Sequence, residues 1–287
     1  MRYLFNNPNS SEASLSASAT NTLPEDTIQE QIKRNKQLVA SQFSRASQSY
    51  DSAARIQQYA AQQLCRQIPQ VSGHWLDLGS GTGYAVKPLL KQGAQRITGL
   101  DLAAGMVTLS QQKLQHKPFY GIVGDAENLP FANQCFDGIY SNLMIQWSEH
   151  PQQLFSEARR ALKPGSLFAF TTLGPRTMHE LKAAWQQVDP YVHVNQFQEK
   201  HTILSEFQQH FDLLQVRQQE YVQMHHDLKS LLKELKAIGA TNVNAGRRPG
   251  LGGRERLRKL DCAYRSQSDC GQLALTYDLI WVIGQVR

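Results

Sequence analysis

The sequence predicts an α/β fold, a doubly wound and mostly parallel sheet with helices on its faces. Three observations carry that reading. Short apolar runs of strand length alternate with segments of helical period. The first run, Trp75-Leu76-Asp77-Leu78, opens onto the glycine-rich turn Gly79-Ser80-Gly81-Thr82-Gly83. The second, Ile97-Thr98-Gly99-Leu100-Asp101, ends in an acid. Doubly wound folds build a ligand pocket from such parts, at the carboxyl ends of their first strands. The length of 287 residues and a hydrophobic content of 41% suit one large domain with appendages.

The elements follow in order. Residues 1–35 form an N-terminal extension; its stretch Ser10 to Thr22 is rich in Ser, Ala, Asn and Thr and has little reason to fold. Thr27 to Gln67 reads as helical, with Ile28, Ile32, Leu38, Val39 and Phe43 near helical spacing and an interruption expected at Ser49-Tyr50-Asp51. The domain proper is expected over 36–287, with N-terminal helices at 36–68 and a core at 71–173. Within that core, Tyr120 to Val123 is the third strand and Phe136 to Asn142 the fourth. Leu162-Lys163-Pro164-Gly165 ends a helix in a Pro-Gly turn, and Leu167 to Thr172 is the fifth strand. Helical insertions are expected at 174–212 and 226–265. Leu181, Ala184, Trp185 and Val188 stripe a helix over Glu180 to Val188, and another spans Ser205 to Phe211. Leu213 to Val222 reads as a strand. Leu228 to Ile238 is amphipathic and stops at Gly239, and Arg254 to Ala263 is a further helix. The apolar run 273–286 closes the sheet.

The glycine spacing narrows the ligand. Gly79, Gly81 and Gly83 read G-x-G-x-G, whereas a dinucleotide loop reads G-x-G-x-x-G and starts its helix under a pyrophosphate. Tyr84 stands where that pattern has its third glycine, and no phosphate-holding Lys-Ser or Lys-Thr follows. Asp77 sets an anion beside the loop, which would repel a pyrophosphate and tolerate a cation. Asp101 sits where an acid accepts hydrogen bonds from both hydroxyls of a ribose. A ribose, a cationic centre and no phosphate describe S-adenosylmethionine. Incidental glycines in a plain strand–turn–helix are the bland alternative, and the two strand-end acids weigh against it.

The succession from Val71 to Thr172, including Gly124-Asp125-Ala126-Glu127 after the third strand, resembles the class I S-adenosylmethionine-dependent methyltransferases. The resemblance implies that Asp101 holds the ribose and Met106 packs on the adenine, with Leu102 beside them. It also implies that Asp125 accepts from the adenine amino group and the Ala126 N–H reaches the ring. Backbone around Gly79 and Asn142 would face the methionine part, with Asp77, Ser80, Gly81 and Gly83 completing the cofactor set. An ordinary turn or cap acid is the bland alternative for Asp125, and its place just after the third strand weighs against it.

Segments outside that core go further. Phe43-Ser44-Arg45-Ala46, Ser49-Tyr50-Asp51, Asn142-Leu143-Met144-Ile145-Gln146-Trp147, Gly239-Ala240-Thr241 and Leu275-Thr276-Tyr277 together resemble the malonyl-acyl-carrier-protein O-methyltransferases of biotin synthesis (the BioC family), over about Lys36 to Val286. Ser80 and Ser148 stand where many members have Cys; neither position needs a thiol for methyl transfer. The resemblance implies methylation of the free carboxylate of a malonyl thioester on acyl-carrier protein, with malonyl-coenzyme A as a further substrate. The methyl ester starts pimeloyl synthesis. A carboxylate is ionised at pH 7, so no general base is required. Tyr50, Gln146, Trp147, Arg45, His193 and Arg247 are the candidates for orienting it. Each has an ordinary alternative: Arg45 could pair with Asp51, Trp147 could be core and His193 a turn residue.

Composition bounds the remaining classes. The net charge of +6 is concentrated late, with twelve Lys and Arg against seven Asp and Glu from Arg217 to Arg287. Six basic residues meet one acid between Gly246 and Lys259. The Arg247–Lys259 stretch is therefore a candidate docking site for an acidic carrier protein, or a solvated face. A nucleic-acid enzyme is the less favoured reading, because no aromatics interleave with the basic residues. A methyltransferase for another small acid or a quinone precursor shares the cofactor site and differs only in the insertions. No apolar run approaches transmembrane length and no signal peptide is readable, so a cytoplasmic enzyme without a membrane partner is expected. Cys65, Cys135, Cys262 and Cys270 form no C-x-x-C or zinc spacing, and His225-His226 would point to opposite faces of a strand, so no metal is expected.

Overall fold

A computed structural model describes residues 35–238, 253–267 and 271–287. The N-terminal extension, Ile28, Ile32, the Gly239 stop signal, Arg247 and Cys270 lie outside the described residues.

Seven strands form one sheet in the order β3-β2-β1-β4-β5-β7-β6. They are β1 (Gly73–Leu78), β2 (Ala94–Asp101), β3 (Phe119–Val123), β4 (Phe136–Asn142), β5 (Leu162–Leu173), β6 (Phe211–His225) and β7 (Leu273–Val286). Only β7 runs against the rest, pairing antiparallel with both β5 and β6. The strand order reverses between β1 and β4, which pair in parallel from Trp75 with Gly138 to Asp77 with Tyr140. At such a switch point the connections leave in opposite directions and open a crevice beyond the carboxyl ends of the strands.

Two apolar layers cover the sheet. One holds Ile56 and Leu64 of α2 (Arg55–Gln67) and Val86 and Leu89 of α3 (Val86–Gln92). It continues through Leu181 and Trp185 of α6 (His179–Gln186), Leu231 of α8 (Leu228–Ala237) and Leu260 of α9 (Arg254–Arg265). The opposite layer packs Leu154 and Phe155 of α5 (Pro151–Ala161) and Phe207 of α7 (Lys200–Phe207) on Phe168 and Phe170. Both faces being covered explains why the inner strands β1, β4 and β7 are buried almost without alternation, whereas the edge strand β6 is largely exposed.

Three boundaries differ from the sequence reading. The first helix, α1 (Lys36–Ala53), runs unbroken through Ser49-Tyr50-Asp51 and stops at Ala54. Ser49 and Ser52 return their hydroxyls to carbonyls three residues back, at 3.1 and 2.8 Å, so these polar side chains are satisfied within the helix. The fifth strand starts at Leu162, directly after the helix. Leu162 pairs with Phe136 and Leu167 with Gly138, which loops out Pro164-Gly165 inside the strand. Finally, α7 ends at Phe207, and Phe211 belongs to β6. Phe211 stacks on Phe207 at 4.6 Å, and the turn between them brings both rings into the core.

Candidate active site

The crevice has two lobes, and the glycine-rich turn forms the wall between them. Gly79 and Ser80 both donate to the Leu100 carbonyl, at 2.7 and 3.1 Å, which locks the turn onto β2. Gly79 has φ +74°, and a Cβ there would lie 2.3 Å from Met144 Cγ, so no side chain fits against the loop after β4. Gly83 packs against Leu114, outside both lobes.

The larger lobe is lined by Asp101, Leu102, Met106, Asp125, Ala126 and Trp147, among others. The Asp101 carboxylate accepts from the Gly81 N–H at 2.8 Å and the Ala103 N–H at 2.8 Å. Burial raises its pKa, and these two bonds oppose that rise. The α4 helix (Ala104–Lys113) places the buried Met106 beneath this lobe.

The smaller lobe is polar. Asp77 is 2% exposed, and its Oδ2 has no hydrogen-bond partner. Burial, then the neighbouring Asp101 charge, push its pKa up to about 8. Ser80 Oγ and Gln57 Oε1 of the same lobe are likewise buried and unpaired, whereas the Tyr140 hydroxyl lies against the Cys65 thiol. Three such atoms on residues lining one cavity point to a ligand, because buried polar groups are almost always satisfied. An ammonium beside Asp77 and a carboxylate facing the Ser80 hydroxyl would satisfy them, as the amino-acid end of S-adenosylmethionine would. The Asn142 amide separates the lobes; it donates to the Gln57 carbonyl at 3.0 Å and accepts from Thr171 Oγ1 at 2.8 Å.

Helix α1 lies across the crevice and touches all four loops at its rim. Thr82 donates to Asp51 at 2.5 Å, and Lys113 pairs with the same carboxylate. Ser44 approaches Gly105 so closely that a Cβ there would sit 2.9 Å from the Ser44 carbonyl oxygen. Lys36 reaches Asp125 at 2.7 Å and Glu127 at 2.6 Å. Phe43 meets Trp147 edge to face at 5.3 Å. Tyr50 lines both lobes. Burial, then the Asp101 and Asp51 charges, hold its hydroxyl far above the ordinary phenol range, so it remains a donor.

Glu127 joins these parts. One oxygen accepts from Ser148 Oγ at 2.7 Å, the Glu149 N–H at 2.7 Å and the His150 N–H at 3.1 Å, while the other accepts from Lys36. Burial would raise this carboxyl, and the bonds from Lys36, Ser148 and the two N–H groups hold it below its usual range. Serine at 148 is thus a strong donor to a buried carboxylate, a task a thiol performs poorly. Sequence reasoning missed Lys36, Asp51 and Glu127. The signal for Glu127 was its place two residues after Asp125, but its partners come from distant segments.

The structure divides the proposed orienting residues. Tyr50 and Trp147 line the crevice. Gln146 does not; its amide donates to the Leu143 carbonyl at 2.7 Å and accepts from Thr172 at 3.3 Å, bracing the loop from behind. Arg45 is exposed and lines neither lobe, and Asp51 is committed elsewhere. His193 lies apart, stacked on Trp185 at 3.7 Å and 2.7 Å from Asp189, beside a separate cleft. Among the described residues no group of three or more His, Cys, Asp or Glu could hold a metal, and no helix is long and apolar enough to cross a membrane.

Comparison with known proteins agrees with this architecture. Residues 76–170 match the methyltransferase domain family model. The YcgJ protein of Bacillus subtilis superposes with a TM-score of 0.57 at 16% identity, covering 80% of this chain and 98% of that one, a likeness of fold alone. The biotin biosynthesis bifunctional protein BioHC of Teredinibacter turnerae is 40% identical over 83% of this chain and 44% of its own length. The chain thus spans about half the length of such bifunctional relatives. The malonyl-[acyl-carrier protein] O-methyltransferase of Pectobacterium atrosepticum is 36% identical over 86% of this chain and 95% of its own. With a relative of that identity matched nearly end to end, the chain belongs to the malonyl-[acyl-carrier protein] O-methyltransferase family.

Proposed function

We propose that this protein binds S-adenosylmethionine in the two-lobed crevice and methylates the free carboxylate of a malonyl thioester carried by acyl-carrier protein. The observation that carries the reading is the polar lobe, where Asp77 and two further buried, unpaired atoms suit a zwitterionic group. When bound, the cofactor supplies an electrophilic methyl group on a positively charged sulfur. The carboxylate oxygen forms the new bond, the sulfur keeps the electron pair of the broken one, and no proton moves. The chain's task is then binding, alignment and exclusion of water. Asp101 and Met106 hold the nucleoside in the larger lobe. Asp125, expected to meet the adenine amino group, already receives Lys36, so the two donors share its carboxylate. Tyr50 and Trp147 face the reacting region, and α1 roofs it. A roofed site favours reaction between opposite charges that cancel in the transition state, because water would stabilise the separated ions.

A malonyl thioester should gain one methyl group, and an acetyl thioester none, since acetyl offers no carboxylate. Mass spectrometry of both products checks this, and equal methylation of the acetyl carrier would place the methyl elsewhere.

We also propose that the carrier protein docks on the basic stretch. Of its described residues, Arg254, Arg258 and Lys259 on α9 are exposed, whereas Arg256 turns inward to Asp189 with 12% of its side chain exposed. Charge reversal therefore tests docking at Arg254 and Arg258 only. The double Glu variant should lower turnover of the carrier-bound thioester most at low salt, and of malonyl-coenzyme A less. Parent-like turnover of both at low salt would remove the docking assignment.

A further inference from the structure

A second cleft opens at the same edge of the sheet. Thr172, near the end of β5, donates to Gln146 behind the active-site loop, and three residues later Pro175 enters the wall of this cleft. Lys182, Trp185, Tyr191, His193 and Phe197 form much of the rest. Four aromatic rings, one cation and the Asp189 carboxylate share its lining. Lys182 Nζ lies 5.4 Å from the Phe197 ring centroid and donates to the Pro175 carbonyl at 3.0 Å. No carboxylate pairs with it among the described residues. Burial lowers its pKa, as expected for a half-buried ammonium without a counter-ion.

The wall beside it is rigid. Asp189 receives His193 at 2.7 Å and is paired with Arg256, whose guanidinium lies 5.1 Å over the Trp185 ring. Burial would raise the Asp189 carboxyl, but His193, the Tyr191 N–H and Arg256 hold it below its ordinary value, so the acid stays ionised and bound to its own partners. Arg256 belongs to α9, the helix with the exposed basic face. One ion-pair cluster therefore joins the wall of the cleft to the surface proposed for carrier docking.

We propose that this cleft holds the arm of the thioester substrate, with Lys182 binding the arm's phosphate and the aromatic walls lying along its amide-bearing chain. The inference rests on the malonyl-thioester reading above. Three facts support it: a cation in a concave site with no carboxylate partner among the described residues, a cleft wall tied to the basic helix through Arg256, and a substrate class whose thioester is carried at the end of a phosphorylated arm. Coenzyme A and carrier-bound thioesters share that arm, and both should use the cleft. Lys182 is a positioning residue here, remote from the methyl donor.

The test compares three substrates with the full-length protein: malonyl-carrier protein, malonyl-coenzyme A and malonyl-N-acetylcysteamine, whose short arm lacks the phosphate. Lys182→Met should raise KM about ten-fold or more for both phosphate-bearing thioesters, the loss expected for one charge-assisted bond. Their kcat should stay within about two-fold, because the bond is made equally in ground and transition states. The phosphate-free thioester should be unaffected, and Lys182→Arg should restore most of the KM. Equal changes on all three substrates, or no change on any, would overturn the assignment. So would a defect confined to malonyl-carrier protein, since Lys182 would then read the protein and not the arm. If the parent methylates none of the three, the malonyl reading itself fails, an outcome distinct from a silent Lys182.

Discussion

Asp77→Asn is expected to stabilise the cofactor-free protein at pH 8 while weakening its hold on the cofactor. The folded protein pushes the Asp77 pKa up to about 8, mainly by burial and secondly through Asp101. In the unfolded chain the same group ionises near about 4. A carboxyl whose folded pKa is raised costs nothing below its unfolded value, and its cost grows with pH until the folded value is passed. The window is therefore about pH 4 to 8. Each unit corresponds to about 1.4 kcal/mol, so the cost at pH 8 is several kcal/mol. Asparagine fills the space without titrating. The variant should melt several degrees above the parent at pH 8 and level with it at pH 4. Calorimetric titration with S-adenosylhomocysteine should show affinity falling about ten-fold or more, as a charge-assisted bond to the ammonium is lost. A variant that melts like the parent at both pH values would show that Asp77 is solvated in the free protein. Unchanged affinity would remove the ammonium from the polar lobe.

Glu127→Ala should destabilise the fold by about 3 kcal/mol or more, the scale for removing one partner of a buried charged network. Four donors lose their acceptor together: Lys36, the Ser148 hydroxyl and two backbone N–H groups. Lys36 can turn to solvent, being 24% exposed, but Ser148 is buried and cannot. Glu127→Gln keeps an acceptor for the loop and loses the ion pair, so it should cost less. Urea unfolding at pH 7 measures both. The pH dependence has the opposite sign to that of Asp77. The folded pKa of Glu127 is lowered, so its contribution is present above the unfolded value and is lost as pH falls through the folded one. The gap between parent and Glu127→Ala should narrow in acid. A gap that does not depend on pH would assign the loss to packing. Because the same carboxylate ties α1 to the loop carrying Trp147, methyl transfer should also fall in the alanine variant, through loosened closure of the crevice.

The glycine turn and the strand-end acids that line the crevice were legible because their signals are local. Gly79 and Gly81 follow β1 directly, Asp101 ends β2, and a strand followed by a glycine turn dictates where the next backbone goes. The same local logic located β7 and the amphipathic α8 and α9. The errors are local too. Ser49-Tyr50-Asp51 has the composition of a break, yet Asp51 is satisfied by Thr82 and Lys113 from other elements, and the helix continues. Phe211 looked like the end of a helix, but its burial against Phe207 is decided by where β7 passes.

The substrate side depended on distant contacts. His193 and Gln146 stood out by sequence, yet one belongs to an ion-pair cluster beside the second cleft and the other braces a loop. Arg256 reads as one of six similar basic residues, and only its approach to Asp189 sets it apart from Arg254 and Arg258. Lys36 and Glu127 are separated by 91 positions and meet at 2.6 Å. By itself the sequence determined the fold class, the strand-end acids and the glycine turn, because those follow from period, spacing and residue chemistry within short windows. Only the tertiary structure decided which charges are neutralised, which buried polar atoms stay unpaired and what roofs the crevice. Pairing and burial depend on partners brought together by the whole chain, and no local pattern encodes them.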